Sequence, residues 1–387
     1  MENFTYCTPT RLIFGKDAAK QLPAVLTPLG KRVLLTYGGG SIRKIGLYDE
    51  VKALLSDFEV FELAGIDPNP KYTKSVLAGV QLCKEHHIDV VLAVGGGSVL
   101  DCSKAIAAGA LYDGEPWDLI TYKVKAKAAL PLVDILTLAA TGSEYDCACV
   151  ISRTETNDKV GYLDPHLYPV ASILDPRYTY SVSKKQTAAG AADAINHVIE
   201  QYFCEKHSDL TDGMCEAAIR SLIKNAKICL ADPENYDARG EFMVDCSLAC
   251  NGIFAIGASP SGWPCHGIEH ALSAYYDITH GEGLAIITPR WMRHILSDKT
   301  LERFVSFGTH IFGIDATLPQ REIAGRTIDA TYDLFVSLGL PMHLKDVGID
   351  ESRLAEMAHH IAVNEGLDSA YAPLTEKDIL DILAASL

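Results

Sequence analysis

The stretch DVVLAVGGGSVLD (89–101) decides the reading of this chain. After Asp89 it runs apolar without alternation, the pattern of a strand buried on both faces. Gly95-Gly96-Gly97-Ser98 closes that strand, and a helix opens near Asp101. Strand, glycine loop and helix in that order make the repeating unit of a parallel α/β sheet. The pattern recurs outward from it: KRVLLTY (31–37) ends in Gly38-Gly39-Gly40-Ser41. Residues 58–63, 132–138 and 171–174 are further strand candidates, and 72–87 reads as a helix. Near Ser183 the texture changes, and from there to Leu387 long helical patterns run without a convincing strand. The expected division is an α/β domain over 1–180 and an all-helical domain over 181–387.

The 387 residues are too many for one simple core, which agrees with two domains. A hydrophobic content of 48% and a charged content of 22% are those of a soluble globular chain. The net charge of −16 argues against nucleic acid and anionic membrane surfaces as partners. No apolar run reaches the roughly 20 residues that span a bilayer. The start, Met1-Glu2-Asn3-Phe4, carries no basic region followed by an apolar one, so no leader peptide is expected. Eleven cysteines show no framework spacing; reduced thiols and a cytoplasmic location are expected.

Glycines let a backbone approach phosphate closely and offer its N–H groups to the oxygens. Gly38, Gly39, Gly40 and Ser41 form one such loop and Gly95, Gly96, Gly97 and Ser98 another, each after a buried strand. Neither is a GxGxxG or a Walker A loop, and tight turns need glycine anyway. Their joint position at strand ends of one sheet points to a shared ligand. Thr137, Thr141, Gly142 and Ser143 make a third polar turn after a strand. Asp67 and Asn69 are counted with the cofactor-contacting residues.

In the helical half, Asp193 and His197 stand four residues apart, as do His266 and His270, with His280 beyond. On a helix that spacing puts two side chains on one face. Asp193, His197, His266 and His280 make a mixed oxygen and nitrogen set suited to a divalent transition metal. Thirteen histidines in this length also produce some helical spacings by chance.

The segments GGGSVLDCSKAIA (95–107), ATGSE (140–144), DAINHVIEQY (193–202) and HGIEHALSAYYDITHGEGLA (266–285) resemble the iron-containing, or group III, alcohol dehydrogenases. NFTYCTPTRLIFGK (3–16) and YGGGSIRKIGLYDEV (37–51) resemble the butanol-dehydrogenase and aldehyde-reductase branch. The resemblance implies a Rossmann-like dinucleotide-binding domain followed by an all-α metal-binding domain, the dehydroquinate synthase-like fold, with the active site between them. It implies metal ligands Asp193, His197, His266 and His280. It implies a pyrophosphate site at Gly95, Gly96, Gly97 and Ser98, with Asp101 opening the helix. Thr137, Thr141 and Lys159 match cofactor-contacting positions, and His270 matches a histidine beside the substrate. The implied reaction interconverts a small primary alcohol and its aldehyde with NAD(P)H and Fe²⁺ or Zn²⁺. Family dimers join N-terminal strands, a role open to residues 3–14.

Several positions depart from the branch pattern. Gly257-Ala258-Ser259-Pro260-Ser261-Gly262-Trp263 lacks an Arg and an Asp, Tyr145-Asp146 replaces Met-Asn, and Arg290 stands where a small residue is expected. These departures touch the substrate, with a polar or anionic small aldehyde as the alternative to a plain short-chain one. Arg290 itself reads as a surface arginine, and Lys159 as a solvated lysine when the resemblance is set aside. No carboxylate follows the first strand at 38–41, so a 2′-phosphate is permitted and NADPH is preferred, with NADH also admitted. A rival class is open at His266-x-x-Glu269-His270, the HxxEH pattern of a zinc metallopeptidase. Dehydroquinate synthase or glycerol dehydrogenase chemistry, or a non-enzymatic protein of the same fold, are further alternatives.

Overall fold

A computed structural model describes all residues, 1–387. The chain divides into two compact units: Cys7–Val182 with Asp232–Asn251, and Met1–Tyr6 with Ser183–Ala231 and Gly252–Leu387. Two segments therefore depart from the 1–180 and 181–387 division. Residues 1–6 join the helical unit and 232–251 join the α/β unit.

The α/β unit contains β1 (Arg11–Phe14), β2 (Arg32–Tyr37), β3 (Glu59–Leu63), β4 (Val90–Gly95), β5 (Leu132–Leu136), β6 (Ala148–Arg153), β7 (Asp158–Leu163) and β8 (Ala171–Leu174). Six of them form one sheet in the order β1-β8-β5-β4-β2-β3. Every pairing in it is parallel, as between Val33 and Val90 or Val91 and Leu132. β4 is buried along its whole length, which is why its sequence does not alternate. Its main helices are α1 (Leu47–Leu54), α2 (Leu77–Glu85) and α3 (Gly97–Ala110). Residues 72–76 form a π-type turn ahead of α2. α3 opens at Gly97, so Asp101 lies in its second turn and not at its start. β3 and β4 flank β2 on opposite sides, so strand order reverses between β2 and β4. Such a switch point is where open parallel sheets bind ligands.

Two features escaped the sequence. β1 pairs in parallel with β8, so residues 11–14 of the segment considered for a dimer strand belong to the unit's own sheet. β6 and β7 form a separate antiparallel hairpin.

Downstream helices are α4 (Lys184–Tyr202), α5 (Asp209–Ala231), α6 (Tyr236–Ala249), α7 (Pro264–Tyr276), α8 (His280–Ile295), α9 (Leu301–Phe312), α10 (Gln320–Ser337), α11 (Leu354–Asn364) and α12 (Glu376–Ala385). α6 packs in the α/β unit, where the carbonyl of Cys246 closes on Gly142. α4 is buried almost throughout, with Ala residues letting its neighbours approach. Ser183 caps it by accepting from the Gln186 N–H at 3.2 Å. No helix is long and apolar enough to cross a membrane.

Candidate metal centre and cofactor loops

In the helical unit, α4 carries Asp193 and His197, α7 carries His266 and His270, and His280 is the first residue of α8. The Asp193 Oδ1 atom lies 3.4 Å from His197 Nε2 and 3.7 Å from the Nε2 atoms of both His266 and His280. Donors bound tetrahedrally at about 2.1 Å stand about 3.4 Å apart, and Asp193, His266 and His280 offer atoms that all lie within 4.8 Å of one another, a spacing that fits one ion, with His197 beside Asp193. Asp193 Oδ1 and His266 Nε2 are buried and accept or donate no hydrogen bond. Buried polar atoms are otherwise almost always paired, and a shared cation is what such a converging set lacks.

Carboxylates behind the imidazoles set their orientation. His266 Nδ1 bonds to the buried Glu200 carboxylate, whose other oxygen accepts from the Cys265 N–H at 2.6 Å. His280 Nδ1 bonds to Glu269, which also accepts from Ser273. With Nδ1–H donated outward, each ring turns the Nε2 lone pair inward, the usual arrangement behind a metal-binding histidine. Burial alone would raise the Asp193 carboxyl, but His197, His266 and His280 together hold it below the usual range. Burial pushes His197 down to about 3, against the pull of Asp193. Burial opposes charge on His266 too, yet Glu200 and Asp193 carry it up to about 9.

Sequence reasoning did not assign Glu200 or Glu269 to the histidines. Glu200 falls seven residues after Asp193 on the same face of α4, and that periodicity was the available signal. Trp263 was also missed. It caps α7 in the left-handed region at φ 51°, and its ring centroid is 5.2 Å from His266 and 5.9 Å from His197. That conformation costs about 1–2 kcal/mol in a residue with a Cβ. His270 stacks against His280 with ring centroids 5.8 Å apart, and its Nδ1 is 3.9 Å from Glu365. The metallopeptidase reading is corrected here: Glu269 is fully buried and committed to His280 and Ser273.

In the α/β unit both glycine loops sit at the switch point, after β2 and β4. The segment after β3 hangs on the first loop, with the Gly65 N–H on the Gly38 carbonyl at 3.3 Å. Asp67 there pairs with Lys74 at 2.6 Å, and Asn69 adopts φ 49°. Thr137 follows β5, its N–H on the Gly95 carbonyl at 2.9 Å, and Thr141 touches the second loop at Gly97.

Asp101 and Ser143, expected among the cofactor contacts, bond to each other. Ser143 Oγ donates to Asp101 at 2.7 Å, and the other Asp101 oxygen accepts from the Val150 N–H at 2.9 Å. Both side chains point into the unit and tie α3 to the third turn and the hairpin. Lys104, fully buried one turn further, bonds Asp146 at 2.7 Å and the Ala148 carbonyl at 2.7 Å. Burial raises Asp101 to about 6 and Glu144 to about 7. Lys159 on β7 is buried, not a solvated surface lysine.

A parallel sheet with glycine loops at its switch point, and a helical unit that brings Asp193, His266 and His280 to within an ion's reach of one another, suit the class of metal-dependent dehydrogenases that use a nicotinamide cofactor. Residues 9–176 match the family model described as iron-containing alcohol dehydrogenase, and residues 187–387 match its C-terminal counterpart, the Fe-containing alcohol dehydrogenase family, C-terminal. The chain is similar to NADH-dependent butanol dehydrogenase A of Clostridium acetobutylicum, with 45% identity over 390 residues and 100% of each chain covered. It is similar to NADPH-dependent aldehyde reductase YqhD of Escherichia coli at 38% identity, covering 92% of this chain and 91% of that one. Among solved structures, NADH-dependent butanol dehydrogenase A from Thermotoga maritima superposes with a TM-score of 0.96 at 37% identity, covering 100% of this chain and 99% of that one. This chain belongs to the iron-containing alcohol dehydrogenase family, in its butanol dehydrogenase and aldehyde reductase branch. It is an NAD(P)-dependent oxidoreductase that interconverts an alcohol and its aldehyde.

Proposed function

We propose that this enzyme acts on a small, short-chain aldehyde and its primary alcohol, with Fe²⁺ or Zn²⁺ held by Asp193, His197, His266 and His280. The observation that carries the metal reading is the convergence of Asp193 Oδ1 and the His266 and His280 Nε2 atoms in a buried space. When bound, the metal supplies a Lewis acid and the nicotinamide supplies the hydride. The chain's own part is to hold and orient. Glu200 and Glu269 lock the rings of His266 and His280, so the donor set needs little reorganisation. The N–H groups of both glycine loops and the start of α3 bind the cofactor's phosphates, with Thr137, Thr141, Asp67, Asn69 and Lys159 alongside. His270 passes a proton between the substrate oxygen and solvent, so His270→Ala should lower kcat roughly 10²-fold with bound metal retained.

Chelation should abolish aldehyde-dependent NAD(P)H oxidation, and Fe²⁺ or Zn²⁺ should restore it. Asp193→Ala, His197→Ala, His266→Ala and His280→Ala should each lose metal and turnover while keeping the wild-type far-UV spectrum. Full activity in a metal-free preparation would overturn the assignment. A panel running from butanal to aldehyde acids reads out the substrate class.

NADPH is the preferred cofactor in this proposal. Tyr37 is followed by glycines, and Glu62 nearby is taken up by Tyr37, Tyr48 and Lys52. An aspartate Cβ at position 38 would meet the Ile66 carbonyl at 3.4 Å, so Gly38→Asp is sterically admitted and should shift preference toward NADH. A kcat/KM ratio of about ten in favour of NADH in the unaltered enzyme would refute the preference. A homodimer in the cytoplasm completes the proposal, to be tested by light scattering and cell fractionation.

A further inference from the structure

His266 and His280 are each backed by a buried carboxylate, but the two carboxylates are held in different ways. The second oxygen of Glu200 accepts from a backbone N–H, that of Cys265 at 2.6 Å. The second oxygen of Glu269 accepts from a side chain, the hydroxyl of Ser273 one turn further along α7. Glu269 is 0% exposed and Ser273 1%, so bulk water stands in for neither.

The backbone around this pair is fitted to it. A Cβ on Gly283, in the first turn of α8, would lie 2.7 Å from Glu269 Cγ and 3.1 Å from Oε1. A Cβ on Gly281 would lie 2.0 Å from the Ala189 carbonyl oxygen. The start of α8 therefore rests on the backbone of α4, one turn before Asp193. Ser273 Oγ also faces the Ile278 carbonyl at 3.3 Å, in the link between α7 and α8. These contacts place the backbone of His280, and the turn of its ring remains to be set.

We infer that Ser273 is a positioning residue for the metal centre, acting through Glu269 on His280, with Gly283 giving Glu269 its room. The terminal torsion of a glutamate is broad and roughly two-fold, so a bond at one oxygen alone does not stop the carboxylate swinging. Ser273 at Oε1 fixes the plane in which Oε2 meets His280 Nδ1. The ring then presents Nε2 on the side of Asp193 Oδ1, 3.7 Å away. Removing the hydroxyl loosens this arm and leaves the Glu200 arm of His266 as it is.

The inference rests on the metal reading above, and Co²⁺ uptake by the full-length metal-free protein tests it. Visible absorption of bound Co²⁺ reports the geometry of its donors, and competition with a chromophoric chelator gives its affinity. Ser273→Ala should bind Co²⁺ about tenfold more weakly than wild type, the low end for loss of a partner behind a ligand, and should alter the visible band. Gly283→Ala, which removes no hydrogen-bonding group, should alter the same band, and Ser273→Thr, which keeps the hydroxyl, should recover it. A Ser273 that serves packing alone would lower the melting temperature in Ser273→Ala while leaving affinity and band at wild-type values. That result would overturn the role of Ser273 and leave the metal reading standing. A wild-type protein that takes up no Co²⁺ would overturn both. Ser273→Ala decides the matter even where Gly283→Ala does not fold.

Discussion

Gly38-Gly39-Gly40-Ser41 and Gly95-Gly96-Gly97-Ser98 leave neighbouring strands of one sheet, yet glycine serves different ends in the two. In the second loop it is demanded by the protein itself. A Cβ on Gly95 would lie 2.5 Å from Val99, on Gly96 2.9 Å from Leu138, and on Gly97 2.5 Å from Thr141. None of these three has a positive φ. In the first loop a Cβ on Gly39 or Gly40 would meet nothing within 4 Å, and only Gly40, at φ 106°, has a backbone that excludes side chains. The second loop leads into the 14-residue α3, anchored from below by Asp101 and Lys104, whereas the first leads into a four-residue helix, Ser41–Lys44. One string thus encodes a packed, rigid cradle and an open, adaptable one. Cofactor choice belongs to the open one, because a side chain can be added there without unpacking the sheet.

The largest effect that tests this contrast is expected from Gly97→Ala. Thr141 would have to move, at a cost of about 3 kcal/mol, the upper part of the range for overpacking. Thermal unfolding and fluorescence titration with NADPH should both show the damage. A Gly97→Ala protein as stable as wild type would erase the distinction between the loops.

Next comes the buried foundation of the second loop. Burial raises Glu144, which accepts from Ser247 at 2.5 Å, to about 7 from an ordinary 4.5. Between those values the unfolded chain has lost its proton and the folded one has not, so stability falls as pH rises. Glu144→Gln cannot ionise, and its amide oxygen still accepts from Ser247. It should gain on the order of 2 kcal/mol over wild type at pH 8 and almost nothing at pH 4.5. Melting curves of both proteins across that interval check the sign. A gain that shrinks toward high pH would contradict it.

Gly40→Ala tests conformation alone. Strain at its positive φ should cost about 1 kcal/mol in urea unfolding with no packing defect. Gly39→Ala is the smallest expected change, within about 0.5 kcal/mol of wild type, because its Cβ enters open space and its φ is ordinary. Any loss in Gly39→Ala should therefore appear in the KM for the cofactor and not in the melting temperature. A melting point lowered as much as in Gly97→Ala would show that both loops are packed alike.

The candidate centre was partly legible in the same manner. Asp193 and His197, or His266 and His270, declare a shared helical face through their spacing. That His270 turns toward Glu365 while His266 turns toward Glu200 is not in the spacing, since both choices suit one face of α7. Asp101 and Ser143 looked like loop polar groups open to a ligand. Their mutual bond depends on where the third turn crosses α3, a contact between residues 42 positions apart.

The sequence by itself determined the parallel α/β half, the helical half, both glycine loops and the helical spacing of Asp193 with His197 and of His266 with His270, because periodicity and turn chemistry are local. Tertiary structure alone decided that β1 joins β8, that α6 returns to the α/β unit, that Glu200 and Glu269 stand behind the histidines, and that Arg290 is half-buried over the Tyr332 ring. Each of these depends on which distant surface a face meets. A local pattern states that a face must be covered; packing against elements far along the chain settles what covers it.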